Sequence, residues 1–553
     1  MAPHHYAPPL LARLVRPTLT YRLVRCHLYK LHPPHRNLLA EPDSSFARFI
    51  SSAHTLHCFR PILQPARDSR RLFATTPHSP NITKPTTTTT TMAYENYEQV
   101  LAAGKYPAKE HAKRAVQHMR ENGVEANGIF YFESTMTKMQ ENNDSPEHFR
   151  QRRFFYYVTG CNLADSHFIY DIQTSKSILF IPPVIDEEVI WSGIPTTVED
   201  ALKEFDVDEV RSTTEVNQVL AELAAAYPNS TVYTIDNHAS EGINVAAFPK
   251  NDPKSAKSAI ETCRVVKDEY EIAMIRKANY IACLGHEAVI KRAKSAKTES
   301  ELEATFRERC IAHGAKEVPY HPIVAAGSAG ATLHYVDNTQ PLEGKLNLLI
   351  DAGCEYNNYA SDITRTFPLN GKFTQESRNI YDIVYKMIID TSNGLKGGVL
   401  YDDLHVQAHK IAIDGLLALG ILKGDKDEIF AARTSTAFFP HGLGHNLGLD
   451  CHDTGGNQNR QDADKLYPNL RLRGTVPTGS VVTIEPGIYF CEFIIKPFLS
   501  DPVHSKFIDA AVLDKYWTVG GVRIENNIVV TESGHENLTT APMSATEIEA
   551  LAA

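Results

Sequence analysis

From Ala93 to the end of the chain, apolar and polar residues alternate in short blocks whose period changes several times. Ala108–Glu121 reads as a helix, whereas Gly128–Phe132 and Ser177–Pro182 are apolar runs of strand length. The pattern loosens between Tyr227 and Pro253, where Asn237, Pro249, Asn251 and Asp252 fall, and a linker is expected there. A long helix is predicted over Lys267–Lys294, with Ile272, Ile275, Ala278, Ala282 and Val289 on one face. Thr298 and Glu301 fit a capping box that opens a second helix. Four strand-like stretches follow: Leu346–Ala352, Tyr359–Phe367, Ser480–Phe490 and Gly521–Val530. The helix Leu404–Leu419 separates them into two pairs, which suggests two similar halves without a readable sequence repeat.

The first ninety-one residues do not share this pattern. They carry twelve Lys and Arg against three acids, so their charge is near +9 and the remainder of the −10 chain is near −19. Arg13, Arg16, Arg22 and Arg25 recur among leucines, and Arg70-Arg71-Leu72-Phe73-Ala74-Thr75 resembles a processing site. Two readings stay open: a mitochondrial transit peptide, or translation that starts at Met92 after the threonine run. Residues 1–91 are therefore expected to be an unfolded or targeting extension, on a protein that is otherwise cytoplasmic. The acidic body argues against nucleic acid as a partner. No apolar run is long enough for a membrane helix, so no membrane partner is expected. Nine scattered cysteines, an odd number without a close pair, read as free thiols.

Candidate chemistry sits where acids interrupt apolar stretches. Asp351 ends the run Leu348-Leu349-Ile350, and Asp362 lies in the next one, so a strand, a turn and a strand can bring the two carboxylates together. Held close and partly buried, they repel unless a cation lies between them; for this pair alone, a hairpin with two exposed aspartates is the better account. His441-Gly442-Leu443-Gly444-His445 is followed by His452-Asp453. The glycines argue for a loop that lets backbone approach an ion or substrate, not for a helix. Glu485 and Glu525 follow Ile484 and Ile524, and a buried carboxylate must be paired, protonated or metal-bound. Arg523 offers Glu525 a plain ion pair as the alternative. Four carboxylates and one imidazole together form an oxygen-rich set suited to Mn²⁺, Co²⁺ or Zn²⁺ in a dinuclear site. Two such ions about 3.5–4 Å apart can share and activate a water.

These motifs resemble those of the aminopeptidase P and prolidase family, the Xaa-Pro peptidases. The matching segments are Leu333-His334-Tyr335, Asp351-Ala352-Gly353, Ser361–Phe367, His441–His445, His452-Asp453, Glu485-Pro486-Gly487 and Gly521–Glu525, and they occur in the family's order. The resemblance begins near Ala93 and implies an α/β N-terminal domain over 93–253, then an α+β pita-bread (creatinase-like) catalytic domain over 259–553. It implies two divalent metal ions per subunit, with Mn²⁺ expected. Asp351 would bind one ion, His445 and Glu485 the other, and Asp362 and Glu525 would bridge them. Glu485 would also shuttle a proton from the bridging water. His334, His441 and His452 would line the substrate site, and Arg523 would order the network. Asn526 departs from many relatives, which carry an acid there. Proline-containing peptides are the implied partners and a homodimer the implied assembly.

Three functions compete. The first is a Xaa-Pro aminopeptidase, favoured by the Asn142–Gln151 segment. The second is a Xaa-Pro dipeptidase, a prolidase, in which Arg471 would grip the proline carboxylate; Phe490–Trp517 also looks prolidase-like. The third is a metal-free binding protein, disfavoured because all five ligands are present.

Overall fold

Strand β1 (Gly128–Glu133) is buried along its whole length, with Ile129 and Tyr131 facing one way and Phe130 and Phe132 the other. A strand apolar on both faces needs cover on both. The structure, a computed structural model describing residues 97–553, supplies it. The transit-peptide and Met92 readings lie outside the described residues. β1 is central in a six-stranded sheet with β2 (His167–Asp171), β3 (Lys176–Ile181), β4 (Glu209–Ser212), β5 (Thr231–Tyr233) and β6 (Lys250–Asp252), in the order β4-β3-β2-β1-β5-β6. One face packs on the helices Ala108–Glu121, Arg153–Thr159 and Ser255–Cys263, the other on Val216–Ala226.

The stretch 227–253 is therefore not a linker. β5 pairs parallel with β1, and β6 pairs parallel with β5. Each has three residues, too few for alternation to show against the surrounding turn formers. Asp252 then accepts from the backbone N–H groups of Lys254 (2.9 Å) and Ser255 (3.0 Å), starting the next helix at once.

The long helix runs over Glu269–Arg292, opened by a capping box between Asp268 and Glu271. At the following helix, Glu299–Ala312, the expected box is only half formed. Thr298 accepts from the Glu301 N–H, but the Glu301 side chain turns to Arg292 at 3.2 Å. Beyond lie β7 (Ile323–Ala326), β8 (Asn347–Asp351), the small hairpin β9 (Glu355–Tyr356) and β10 (Tyr359–Ala360), and β11 (Thr364–Pro368). β7, β8 and β11 form one antiparallel sheet. After the helices Gln375–Gly394 and Tyr401–Ala418 come β12 (Val481–Ile484), β13 (Gly487–Tyr489), β14 (Gly521–Arg523), β15 (Asn526–Val530) and β16 (His535–Asn537). β12-β15-β16 and β13-β14 are separate ladders. Three of the predicted strand runs are thus each broken in two, and each break falls at an acid: Asp362, Glu485 or Glu525. All described residues belong to one packed unit. Tyr106 from the first domain meets Tyr359 hydroxyl to hydroxyl at 3.1 Å, and Tyr359 donates to Glu271 at 3.0 Å.

Candidate metal centre

The register of the small sheets decides which acids meet. Asp351 closes β8 opposite Thr364 on β11 and Ile323 on β7. Asp362 sits just before β11, its backbone N–H donating to Asn527 Oδ1 at 2.8 Å. Glu525 lies between β14 and β15, with its N–H on the Thr364 carbonyl (3.1 Å) and its Oε2 accepting from the Thr364 hydroxyl (2.7 Å). Glu485 follows β12, and its N–H donates to the Leu443 carbonyl at 2.8 Å. The segment carrying His445 runs alongside β12: Thr483 donates to the His445 carbonyl and Leu447 to the Val481 carbonyl, both at 2.9 Å. Gly444 is required in this approach, since a Cβ there would lie 2.1 Å from the Thr483 carbonyl oxygen. The His-rich segment is a loop, as its glycines predict.

His445 Nδ1 faces the Asn446 carbonyl at 2.9 Å, so Nδ1 carries the proton and Nε2 is the free ligand atom. Nε2 lies 3.3 Å from Asp362 Oδ2 and 3.6 Å from Glu485 Oε1. Two ligand groups interlock. Asp351, Asp362 and Glu525 each offer an oxygen within 4.8 Å of the others, and so do the ligand atoms of His445, Glu485 and Glu525. Glu525 belongs to both. Its Oε1 is buried and has no hydrogen-bond partner among the described residues. The ion pair with Arg523 does not quench it, because that guanidinium is turned to Asp351 Oδ2 at 2.6 Å and to the Tyr489 hydroxyl at 2.8 Å.

The electrostatics record the crowding. Burial, then repulsion from Asp362, Glu485 and Asp351, pushes the Glu525 carboxyl well above its ordinary range. Burial raises Glu485 to about 7 against the attraction of His445, and raises Asp351 to about 6 against that of Arg523. Burial also acts to raise Asp362, but His445, Cys451 and Tyr320 outweigh it and hold this carboxyl well below the usual value. Buried acids that cannot all ionise, one of them with an orphaned oxygen, fit a site for hard divalent cations.

The other predicted residues surround this floor in a cavity of 530 Å³, whose wall includes His334, His441, His452, Arg471 and Arg523. A directed chain reaches His441. Arg523 donates to the Tyr489 oxygen, Tyr489 lies 2.8 Å from His441 Nε2, and His441 Nδ1 lies 2.8 Å from the Gly442 carbonyl. Nδ1 therefore donates to that carbonyl, and in the neutral ring Nε2 accepts from the Tyr489 hydroxyl. Burial and the Arg523 charge push His441 down to about 3 in agreement. His452 packs edge-on against His445 with ring centroids 4.5 Å apart; its side chain stays exposed on the open side of the cavity, and partial desolvation by the wall, His445 and Arg471 lower its pKa. His334 is lowered by burial, Arg523 and Arg471. All ten predicted site residues thus share one cavity. Sequence reasoning missed three others. The Tyr320 hydroxyl lies 2.7 Å from Asp351 Oδ1 and 2.5 Å from Asp362 Oδ1. The Cys451 thiol donates to Asp362 Oδ2 at 2.9 Å. The third is Tyr489, and no motif marks any of them.

Residues 273–532 match the family model for metallopeptidase family M24, and residues 109–233 that for the aminopeptidase P N-terminal domain. A probable Xaa-Pro aminopeptidase of Metarhizium robertsii is 65% identical over 462 residues, which is 84% of this chain and 100% of that protein. Its counterpart in Fusarium vanettenii is 63% identical over 460 residues, 83% of this chain and 99% of that one. Among solved structures, E. coli aminopeptidase P with the inhibitor Pro-Leu superposes with a TM-score of 0.68 at 30% identity, covering 81% of this chain and 99% of its own. Yersinia pestis proline aminopeptidase P II gives 0.67 at 30%, covering 80% and 99%. Identity this high along whole relatives, joined to a three-dimensional match across nearly all of the bacterial chains, shows that this chain belongs to metallopeptidase family M24, in its Xaa-Pro aminopeptidase branch, and has that family's pita-bread fold.

Proposed function

We propose that the chain hydrolyses the peptide bond between an N-terminal residue and a penultimate proline, with two divalent cations held by Asp351, Asp362, His445, Glu485 and Glu525. The observation that carries this is the pair of ligand groups sharing Glu525, whose second oxygen has no protein partner. Asp351 would hold one ion, His445 and Glu485 the other, and Asp362 and Glu525 would be shared; Mn²⁺ is the ion proposed. When bound, the ions supply Lewis acidity and a water activated near neutral pH. Glu485 takes the proton of the attacking water and returns it to the proline nitrogen. His452 hydrogen-bonds the substrate beside the scissile amide, while His441 and His334 hold the proline side. Arg523 does not touch substrate; it fixes Asp351 on one side and, through Tyr489, His441 on the other.

Arg471 favours a second reading, a dipeptidase. It lines the same cavity and makes no ion pair among the described residues, so its fork is free for the carboxylate of a dipeptide. The test is a parallel assay of a Xaa-Pro dipeptide and a Xaa-Pro-Xaa tripeptide with added Mn²⁺. Faster tripeptide cleavage supports the aminopeptidase, and cleavage of the dipeptide alone overturns it. Elemental analysis showing no bound metal, together with no turnover, would favour the metal-free binding protein.

A further inference from the structure

His452 lines the cavity beside His445, with ring centroids 4.5 Å apart, yet its imidazole makes no hydrogen bond to another described residue. Something else must fix its place. The next residue, Asp453, is almost completely enclosed, and so are two cations on it. Arg264 reaches Oδ1 at 2.5 Å and Lys267 reaches Oδ2 at 3.0 Å, with all three side chains 2% exposed or less. The Asp453 backbone N–H donates to the Asn446 carbonyl at 2.9 Å, so the same residue ties the His452 loop to the strand-like segment holding His445. The packing leaves no slack: a Cβ on Gly448 would lie 2.3 Å from Asp453 Oδ2 and 3.0 Å from the Lys267 stem. Arg264 also pairs with Asp450 at 2.7 Å, and Asp450 lies 3.5 Å from Arg153 on the N-terminal helix Arg153–Thr159. Arg264 and Lys267 both lie in the short segment between the helices Ser255–Cys263 and Glu269–Arg292.

We infer that Asp453 is a positioning residue for His452, clamped from behind by Arg264 and Lys267, so that the short segment between the helices Ser255–Cys263 and Glu269–Arg292 supports the catalytic site. This rests on the proposed role of His452 at the scissile bond. A buried carboxylate between two fixed cations has one favourable location, and the histidine one residue before it inherits that location.

A double-mutant cycle tests this. In the full-length, Mn²⁺-loaded chain, Asp453→Asn keeps the side-chain shape and removes the charge. It is expected to lower kcat on a Xaa-Pro-Xaa tripeptide roughly tenfold or more, as loss of a residue orienting a reactive group does, with KM and bound metal little changed. In a His452→Ala background the same substitution should change kcat less than about twofold, because the group it positions is gone. An equal loss in both backgrounds overturns the inference and leaves Asp453 a plain structural ion pair. If Asp453→Asn does not fold, Lys267→Met, which leaves Arg264 on Asp453, is run through the same cycle with the same two outcomes. If His452→Ala has no measurable turnover, crystal structures of the folded positioning variant and the parent decide. A displaced His452 ring supports the inference, and a ring unmoved despite lost kcat overturns it. A parent chain that does not cleave the tripeptide would instead refute the proposed function, a separate result.

Discussion

Tyr320 and Asp351 are joined by a 2.7 Å hydrogen bond whose donor also lies 2.5 Å from Asp362. One phenol thus spans two of the proposed ligand carboxylates, one closing β8 and the other just before β11. Partners of this kind fix ligand orientation and typically contribute roughly 10–100-fold to metal affinity. Tyr320→Phe should weaken Mn²⁺ binding by that factor, read by competition with a chelator. Unchanged affinity would show the hydroxyl to be a bystander.

Asp362→Ala and Glu525→Ala remove acids that each belong to two of the candidate ligand groups and are proposed to serve both ions. Each should reduce activity by orders of magnitude and lower the metal bound per chain by elemental analysis. Full activity in either variant would remove it from the ligand set.

The metal-free protein should respond to pH in an unusual direction. Glu485 is raised to about 7 and Asp351 to about 6 by burial. A carboxyl raised on folding contributes no penalty below its unfolded value near 4, and costs stability as pH rises through its folded value. Metal binding needs these groups ionised and relieves their repulsion. The gain in Tm on adding Mn²⁺ should therefore widen as pH rises from about 5 to about 8. Buried histidines such as His286, lowered to about 3, and His405, lowered to about 4, destabilise on acidification below about 6.5 in both forms and cancel from the difference. A constant gain across this range would contradict the assignment.

Arg471 separates the two peptidase readings. A charge-assisted bond to a proline carboxylate is worth about 1.5–3 kcal/mol, or roughly tenfold to a hundredfold or more. For a dipeptidase, Arg471→Ala should damage dipeptide cleavage by that factor and spare the tripeptide, which has an amide at that point. A small, equal effect on both favours the aminopeptidase.

A chain beginning at Met92 should fold and turn over substrate at the rate of the full chain, since 462 residues suffice to match the whole of the Metarhizium relative. Insolubility or inactivity would make the leading segment part of the fold. A reporter fused to residues 1–91 that stays in the cytosol would end the transit-peptide reading.

The proposed ligands are legible because an acid inside an apolar run is locally anomalous, and the anomaly marks the break between β12 and β13 or β14 and β15 as much as the candidate metal centre. Tyr320, Tyr489 and Cys451 carried no such mark. A tyrosine or cysteine among apolar neighbours is ordinary, and Cys451 meets Asp362 only across 89 residues of chain. Arg523 is expected to order the network, with an ion pair to Glu525 as the plainer alternative; the fold turns it to Asp351, 172 residues away, a partner that no local pattern points to. The strands β5 and β6 escaped notice because three residues hold too little periodicity to outweigh the prolines and asparagines beside them.

The meeting of Tyr106 and Tyr359 bears on how such a protein can change over generations. Tyr359 stands three residues ahead of Asp362, is fully enclosed, and shares its hydroxyl with a tyrosine from the other domain and with Glu271. A hybrid that borrowed its first half from a distant cousin would bring the wrong surface to this joint and disturb the segment between β10 and β11 that carries Asp362. Mutations on the two sides are therefore expected to be tolerated in matched pairs, so that the halves diverge as one inheritance and resist being shuffled as separate modules.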